Sequence, residues 1–292
     1  MYVVSPSTVK FAKPYSPCVI ISGKLNSDIL KYQNKYDEVI AIGGGAVMDA
    51  AKILSRHRLV CYPTTASGSP TSAHSVVWDG VNKTSVQGNP ADVVEVKEEY
   101  CKGLKGEALL NTRIDLWAHA IDTLYSKRAT TKTKKESNFI LSRMKKPLTN
   151  VELVELGNLG GELIRKVSTT LMHGCSYPIT GNYDIPHGRA LGMMVKGICD
   201  IKGLNPMSWF TEEEIKSMSF WNEDLPKMNK NLLLEQIMRI EKIHEFDLGQ
   251  DINASIIAEI CSSAHGKEIV LPLIKTSIMF LFTSYTFFKR FF

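Results

Sequence analysis

The stretch that most constrains the fold is an apolar run, Glu38-Val-Ile-Ala-Ile42. It is stopped by Gly43-Gly44-Gly45 and followed by Ala-rich residues 46–56 and a further apolar run over 59–62. Short continuous apolar runs suit strands covered on both faces, and the segment between them, with Asp49 in its first turns, has the composition of a helix. Strand, turn, helix and strand in that order require a crossover, hence a parallel sheet. Cys18-Val-Ile-Ile-Ser22 reads as another buried strand, ended by Gly23 and Lys24, with a short strand over 2–5 and one short helix over 25–36. Residues 75–78 and 84–87 suit a hairpin around Asp79-Gly80-Val81-Asn82, from which Lys83 would reach back toward a nucleotide. Asp92-Val-Val-Glu-Val96 suggests the last strand of this region.

From about residue 97 the pattern turns helical. Helices are expected over 113–126, 137–144, 151–172, 188–201, 211–219, 229–242 and 253–263, with 127–135 a charged, Thr-rich loop. The organisation expected is an α/β domain over 1–98 and an all-α domain over 99–292.

Two regions offer chemistry. Glycines after a strand let backbone N–H groups approach a pyrophosphate, and the next helix N-terminus adds partial positive charge. The spacing here is not GxGxxG, so a tight turn packing helix on strand is the plainer reading of Gly43, Gly44 and Gly45. The hydroxyl-rich run Pro63-Thr64-Thr65-Ala66-Ser67-Gly68-Ser69-Pro70-Thr71-Ser72 suits phosphate and ribose contacts, or simply a loop. The second region runs from Asp115 to His187. Asp115 and His119 are four apart and share a helix face. His173 closes the 151–172 run, and His187, after Pro186, opens the next helix. One carboxylate and three imidazoles suit Fe(II) or Zn(II) and poorly suit Mg or Ca. Taken singly, Asp115 reads as a helix-terminal carboxylate, His119 and His173 as core imidazoles, and His187 as a turn cap. His57, His74, His244 and His265 have no matching role.

The 292 residues are 44% apolar and 22% charged with a net charge of +5, ordinary for a globular chain. The lysines at 132, 134, 135, 145 and 146 form local runs, not the dense aromatic-interleaved stripe of a nucleic-acid binder. Six scattered cysteines without a CxxC pair, and no signal peptide, fit reduced thiols in the cytoplasm. The apolar stretch 277–288 is short of the about 20 residues a membrane span needs. A buried helix, a dimer contact, an interfacial anchor or an abnormal end of the reading frame all fit it.

Gly43-Gly44-Gly45-Ala46-Val47-Met48-Asp49-Ala50-Ala51-Lys52 is similar to the GGGSxxDxAK motif of the iron-containing alcohol dehydrogenases, whose superfamily includes glycerol, glycerol-1-phosphate and dehydroquinate-forming enzymes. Pro63-Thr64-Thr65-Ala66 resembles the next nucleotide loop, Asp115-Leu-Trp-Ala-His119-Ala-Ile-Asp the D-x-x-x-H-A-x-E block, and His173-Gly174 and Pro186-His187-Gly188 the last two ligand positions. The resemblance runs over residues 36–194. It implies a nucleotide domain and a helical metal domain with the site between them. Asp115, His119, His173 and His187 would be the metal ligands. Gly43, Gly44, Gly45, Asp49, Thr64, Thr65, Ser67 and Lys83 would contact NAD or NADP, and Asp49 and Tyr177 would be the catalytic side chains.

The implied activity is hydride transfer between nicotinamide and a small alcohol or aldehyde, by a cytoplasmic enzyme that is a possible homodimer with no membrane span and no nucleic-acid partner. Ser22-Gly23-Lys24 stands where the family carries an acidic residue that selects NAD, which favours NADP. Residues 124–130 resemble reductases of small aldehydes, including phosphonoacetaldehyde, and Lys127 or Arg128 would meet an anionic group. Three departures stand out: a shorter segment before the triple glycine, Tyr177 in place of the family's second histidine, and trimmed C-terminal helices. They leave a catalytically degenerate binding protein as the alternative, beside a dehydroquinate synthase-like cyclase.

Overall fold

The computed structural model describes residues 1–221 and 228–262. The strands, in chain order, are β1 (Tyr2–Val4), β2 (Cys18–Ile20), β3 (Tyr36–Gly43), β4 (Ser55–Pro63), β5 (His74–Asp79), β6 (Asn82–Gln87) and β7 (Val93–Val94). The helices are α1 (Gly45–Leu54), α2 (Glu98–Cys101), α3 (Gly106–Leu124), α4 (Thr131–Met144), α5 (Asn150–Val167), α6 (Leu171–Tyr183), α7 (His187–Lys202), α8 (Glu212–Trp221), α9 (Lys230–Met238) and α10 (Ala254–Ser262).

A parallel sheet in the order β2-β1-β3-β4-β7 carries the first part of the chain, and β5 and β6 form a separate antiparallel hairpin. The strand order reverses between β1 and β3, so the carboxyl ends there open a crevice where ligands bind in open α/β sheets. The triple glycine falls at this edge: β3 ends at Gly43 and α1 starts at Gly45. One face of the sheet packs on α1, burying Val39, Ala41, Met48, Ile53 and Leu59. The other is closed by a smaller group, Tyr2, Val4 and Ile42, against Phe11 and Tyr100. The helical remainder encloses its own larger core around Trp117, Ile121 and Leu191. No helix among the described residues is long and apolar enough to cross a membrane.

Several expectations need correction. The strand at Cys18 is an edge strand with Cys18 exposed and Ile20 54% exposed, not a buried one. Residues 25–36 hold only a 3-10 turn, Ser27–Tyr32, capped by Asn26, because Tyr36 already joins the sheet. Helix α1 stops at Leu54, earlier than expected, since pairing of Tyr36 with Ser55 and Glu38 with Arg58 draws the next residues into β4. Residues 131–135 are helical: Thr130 and Thr133 form a reciprocal capping box that starts α4.

The expected single helix over 151–172 is two. It breaks at Ser168, which takes φ 69°, and the next helix starts at Leu171. The cap of that new helix comes from elsewhere in the chain: Asp122 of α3 accepts hydrogen bonds from the backbone N–H groups of Thr170 and Met172 at 3.0 and 3.1 Å. His173 therefore opens α6; it does not close the run before it. The apolar tail over 277–288 and His265 lie outside the described residues.

Candidate metal centre and nucleotide cleft

Asp115 and His119 stand one turn apart on α3, as their spacing requires. The N-terminal turn of α6 brings His173 to them, and the start of α7 brings His187. The Asp115 Oδ1 atom lies 3.6 Å from His119 Nε2, 3.4 Å from His173 Nε2 and 3.7 Å from His187 Nε2. These separations exceed hydrogen bonds. They suit donors that each sit about 2.1 Å from one shared cation. The rings of His119 and His173 stack with centroids 4.8 Å apart. Asp115, His119 and His173 offer ligand atoms all within 4.8 Å of one another. His119 and His173 are buried, whereas His187 faces the cleft with its side chain 36% exposed.

Buried polar atoms are almost always paired. Here Asp115 Oδ1 and His173 Nε2 are buried without a hydrogen-bond partner, and both point at the common centre. An apolar core would not leave them so, and a cation among them satisfies both. The donor set therefore fits Fe(II) or Zn(II).

Electrostatics agree with the geometry. Burial opposes ionisation of Asp115, but the surrounding imidazoles of His119, His173 and His187 hold it well below the usual carboxylate range. Burial pushes His119 down to about 4 and His187 down to about 3, keeping both neutral, as ligands must be. His173 is the exception: burial is outweighed by Asp115 and Asp122 on either side, which raise it to about 9.

Asp122 is a residue that the sequence reading quoted and left without a role. It sits seven after Asp115 on the same helix face, fully buried, and its Oδ2 lies 2.8 Å from His173 Nδ1. That contact holds the Nδ1 proton and directs the Nε2 lone pair at the centre. Ser176 acts likewise on His187, with its Oγ 3.2 Å from Nδ1 while donating to the His173 carbonyl at 2.8 Å. The i, i+7 spacing of Asp115 and Asp122 was the available signal; nothing local marks Ser176.

The centre opens into a cleft of about 580 Å³ whose opposite wall carries Gly45, Ala46, Asp49, Thr65 and Ser67. A Cβ at Gly44 would come within 3.3 Å of Thr65 Oγ1, and one at Gly45 within 3.2 Å of Ser67 Cβ, so the glycines let the hydroxyl loop close over the start of α1. Of the residues expected at the nucleotide, Gly43, Gly44 and Thr64 do not line the cleft; the Thr64 N–H bonds the Gly43 carbonyl at 2.9 Å. Asp49 lines the cleft, and its carboxylate is engaged by Ser69 Oγ at 2.6 Å and Lys52 Nζ at 3.1 Å. The fully buried Lys52 also donates to the carbonyls of Ser69 and His74 and to Ser72 Oγ, locking the loop to α1.

Lys24, in the Ser22-Gly23-Lys24 run that favoured NADP, binds the Asp184 carboxylate at 2.9 Å and the Thr180 carbonyl at 3.1 Å. It ties the sheet region to α6. Lys83 Nζ lies 3.3 Å from the centre of the Tyr177 ring, on the metal side of the cleft. The Tyr177 hydroxyl is 3.0 Å from Thr169 Oγ1 and 3.0 Å from Lys242 Nζ. Burial would raise its pKa, but Lys83 and Lys242 lower it to about 6. Lys127 and Arg128 lie away from the cleft, Arg128 paired with Glu245 at 3.2 Å.

This fold is the one found in iron-containing alcohol dehydrogenases. A structure of that description from Corynebacterium glutamicum matches with a TM-score of 0.70 at 13% identity, covering 91% of this chain and 88% of the other. Sulfoacetaldehyde reductase from Bifidobacterium kashiwanohense, in complex with NAD+, matches with a TM-score of 0.67 at 17% identity over 91% of each chain. Among curated proteins, the 4-hydroxybutyrate dehydrogenase of Clostridium kluyveri is 26% identical over 193 residues, 53% of this chain and 52% of that protein. The glycerol-1-phosphate dehydrogenase [NAD(P)+] of Thermococcus kodakarensis is 32% identical over 161 residues, 49% of this chain and 43% of that one. Those sequence matches span about half the length of the curated relatives. No protein-family model matches the chain. Structural neighbours and sequence relatives point the same way: the chain has the fold of the iron-containing alcohol dehydrogenases and is similar in sequence to two dehydrogenases.

Proposed function

We propose that the chain is a metal-dependent, NAD- or NADP-linked dehydrogenase or reductase that moves a hydride between nicotinamide and a small alcohol or aldehyde. The observation that carries this reading is the pair of orphaned buried atoms, Asp115 Oδ1 and His173 Nε2, facing a cleft whose far wall is a glycine turn and a helix N-terminus. Asp115, His119, His173 and His187 hold Fe(II) or Zn(II). When bound, the metal supplies Lewis-acid polarisation of the substrate oxygen and the nicotinamide supplies the hydride.

The protein's own groups position and charge the site. Backbone N–H groups at Gly44, Gly45 and Ala46 receive the pyrophosphate, with Gly43 ending the strand that presents them. Thr65 and Ser67 contact the nucleotide, Thr64 braces the loop from behind, and Asp49 shapes the wall they share. Asp122 and Ser176 fix the rings of His173 and His187. Tyr177 exchanges a proton at its Oη near neutral pH, with Thr169 and Lys242 as its neighbours. The functional division falls near residue 98, between a nucleotide-holding part and a metal-holding part. The six free thiols suit a cytoplasmic enzyme, and a homodimer belongs to the same reading.

The test is metal analysis of the purified protein together with NAD(P)H consumption on a panel of small aldehydes. A near-stoichiometric transition metal and net turnover, both lost in His187→Ala, are expected. Full activity in His187→Ala would overturn the assignment.

A further inference from the structure

Beside the metal-facing cleft lies a second cavity of about 450 Å³, and Lys83 and Tyr177 belong to the wall of both. Lys83 comes from β6 of the hairpin, and Lys242 from the turn Glu241–Glu245 beyond α9. The two ammonium groups converge on one phenol: Lys83 Nζ is 3.3 Å and Lys242 Nζ 4.4 Å from the Tyr177 ring centre. Lys242 Nζ is also 2.8 Å from Thr169 Oγ1. Among the described residues no carboxylate forms an ion pair with either lysine. Asp49, which acts on Lys83 from a distance, is held by Lys52 and Ser69. Among the described residues the Tyr177 oxygen is the one acidic group against both, so two half-buried ammonium groups share a single counter-charge, an arrangement that a bound anion relieves. The place is also informative. The Tyr177 and His187 rings are 6.2 Å apart, and Lys83 lines the metal-facing cleft beside both, so the lysines stand next to a metal ligand.

Resting on the hydride-transfer function above, we infer that Lys83, Lys242 and Thr169 form an anion subsite, so that the substrate is a short-chain aldehyde or alcohol carrying a carboxylate, sulfonate or phosphonate at its far end. Thr169 and Lys242 donate to the anion's oxygens, and Lys83 closes over it from the hairpin. The Tyr177 ring forms the floor between the charged end and the reacting carbon. The sequence offered Lys127 and Arg128 for such a group; the structure sets them elsewhere and brings together two lysines 159 residues apart in the chain.

The test pairs succinic semialdehyde with butanal, which has the same carbon count and no charge, in the metal-loaded enzyme. It adds calorimetric binding of succinate and of 2′,5′-ADP to the protein. Wild type is expected to prefer succinic semialdehyde in kcat/KM. Lys242→Gln and Lys83→Gln should each lower the ratio of charged to uncharged kcat/KM by about tenfold to a hundredfold, chiefly through KM, and weaken succinate binding by a similar factor. Lys242→Arg should restore most of both, and Tyr177→Phe should lower both aldehydes together and leave the ratio. Equal loss on both aldehydes in the lysine variants, or wild type that does not bind succinate, overturns the subsite. Weakened binding of 2′,5′-ADP with unchanged succinate assigns the lysines to the nucleotide and equally overturns it. Turnover of neither aldehyde, with succinate binding still lost in the variants, overturns the hydride-transfer function and leaves the anion site standing.

Discussion

Two buried carboxylates, Asp49 and Asp115, each sit among cationic or imidazole groups on the first long helix of its half of the molecule, and they are finished differently. Around Asp49 the polar atoms are paired: Lys52 Nζ has the Ser69 and His74 carbonyls, Ser72 Oγ and the Asp49 carboxylate within 3.1 Å. Around Asp115 they are not. Its Oδ1 and the facing His173 Nε2 are buried at spacings too long for hydrogen bonds. A satisfied buried pair fixes the backbone around it; an unsatisfied one is held open for something the chain does not contain. The first locks the hydroxyl-rich loop to its helix, and the second fits the cation proposed for it.

The comparison predicts opposite consequences for mutation. The largest effect is at the open site. Asp115→Ala or His187→Ala should leave a folded protein that retains no metal and has only background turnover, read by metal analysis and by circular dichroism. Next is the closed pair. Lys52→Met strands Asp49 as a lone buried charge and should cost about 3–5 kcal/mol in urea unfolding. The double change Asp49→Asn with Lys52→Met should recover part of it. If Asp115→Ala unfolded the protein and Lys52→Met did not, the assignment of the two sites would be reversed.

Smaller effects sharpen the same contrast. Asp122→Asn should weaken metal affinity by about 10- to 100-fold, since the ring of His173 would lose its orienting acceptor, with Ser176→Ala milder at His187. The pH dependence of loading follows from His173. Flanked by Asp115 and Asp122, it is raised from 6.5 to about 9 in the metal-free protein. Loading at pH 7 must therefore release one proton, and affinity should rise roughly tenfold per pH unit until about 9. Calorimetry in buffers of different ionisation enthalpy counts that proton. The metal-free fold runs the other way. A group raised on folding contributes fully below its unfolded value near 6.5, and that contribution fades as pH rises through about 9. A metal-free protein whose stability grew between pH 7 and 9 would count against His173 as the titrating group.

Much of this was legible in the residues. The strand, triple glycine and helix over 38–54 carry their own local logic, and the four-residue step from Asp115 to His119 fixes both on one helical face. What was misread depended on remote partners. The 151–172 run is apolar at helical spacing throughout, and its break at Ser168 is set by Asp122 capping the next helix from α3. The edge position of β2 follows from sheet order, which a short apolar run does not encode. Lys24 reads as free in sequence and is spent on Asp184, 160 positions on.

The sequence by itself determined the element types near the glycine turn, because they depend on residues within a few turns of one another, and it carried the types of the candidate donors and the motifs of the resemblance in chain order. Only the tertiary structure decided that the four donors meet. It also decided that Asp122 and Ser176 aim two of them, and that Lys83 and Lys242 converge on Tyr177. Those relations join separate elements whose approach is fixed by packing, as where Gly161 lets Gly68 come so near that a Cβ would lie 2.0 Å from its carbonyl oxygen. Packing of that kind is a property of the whole core and leaves no local mark in the chain.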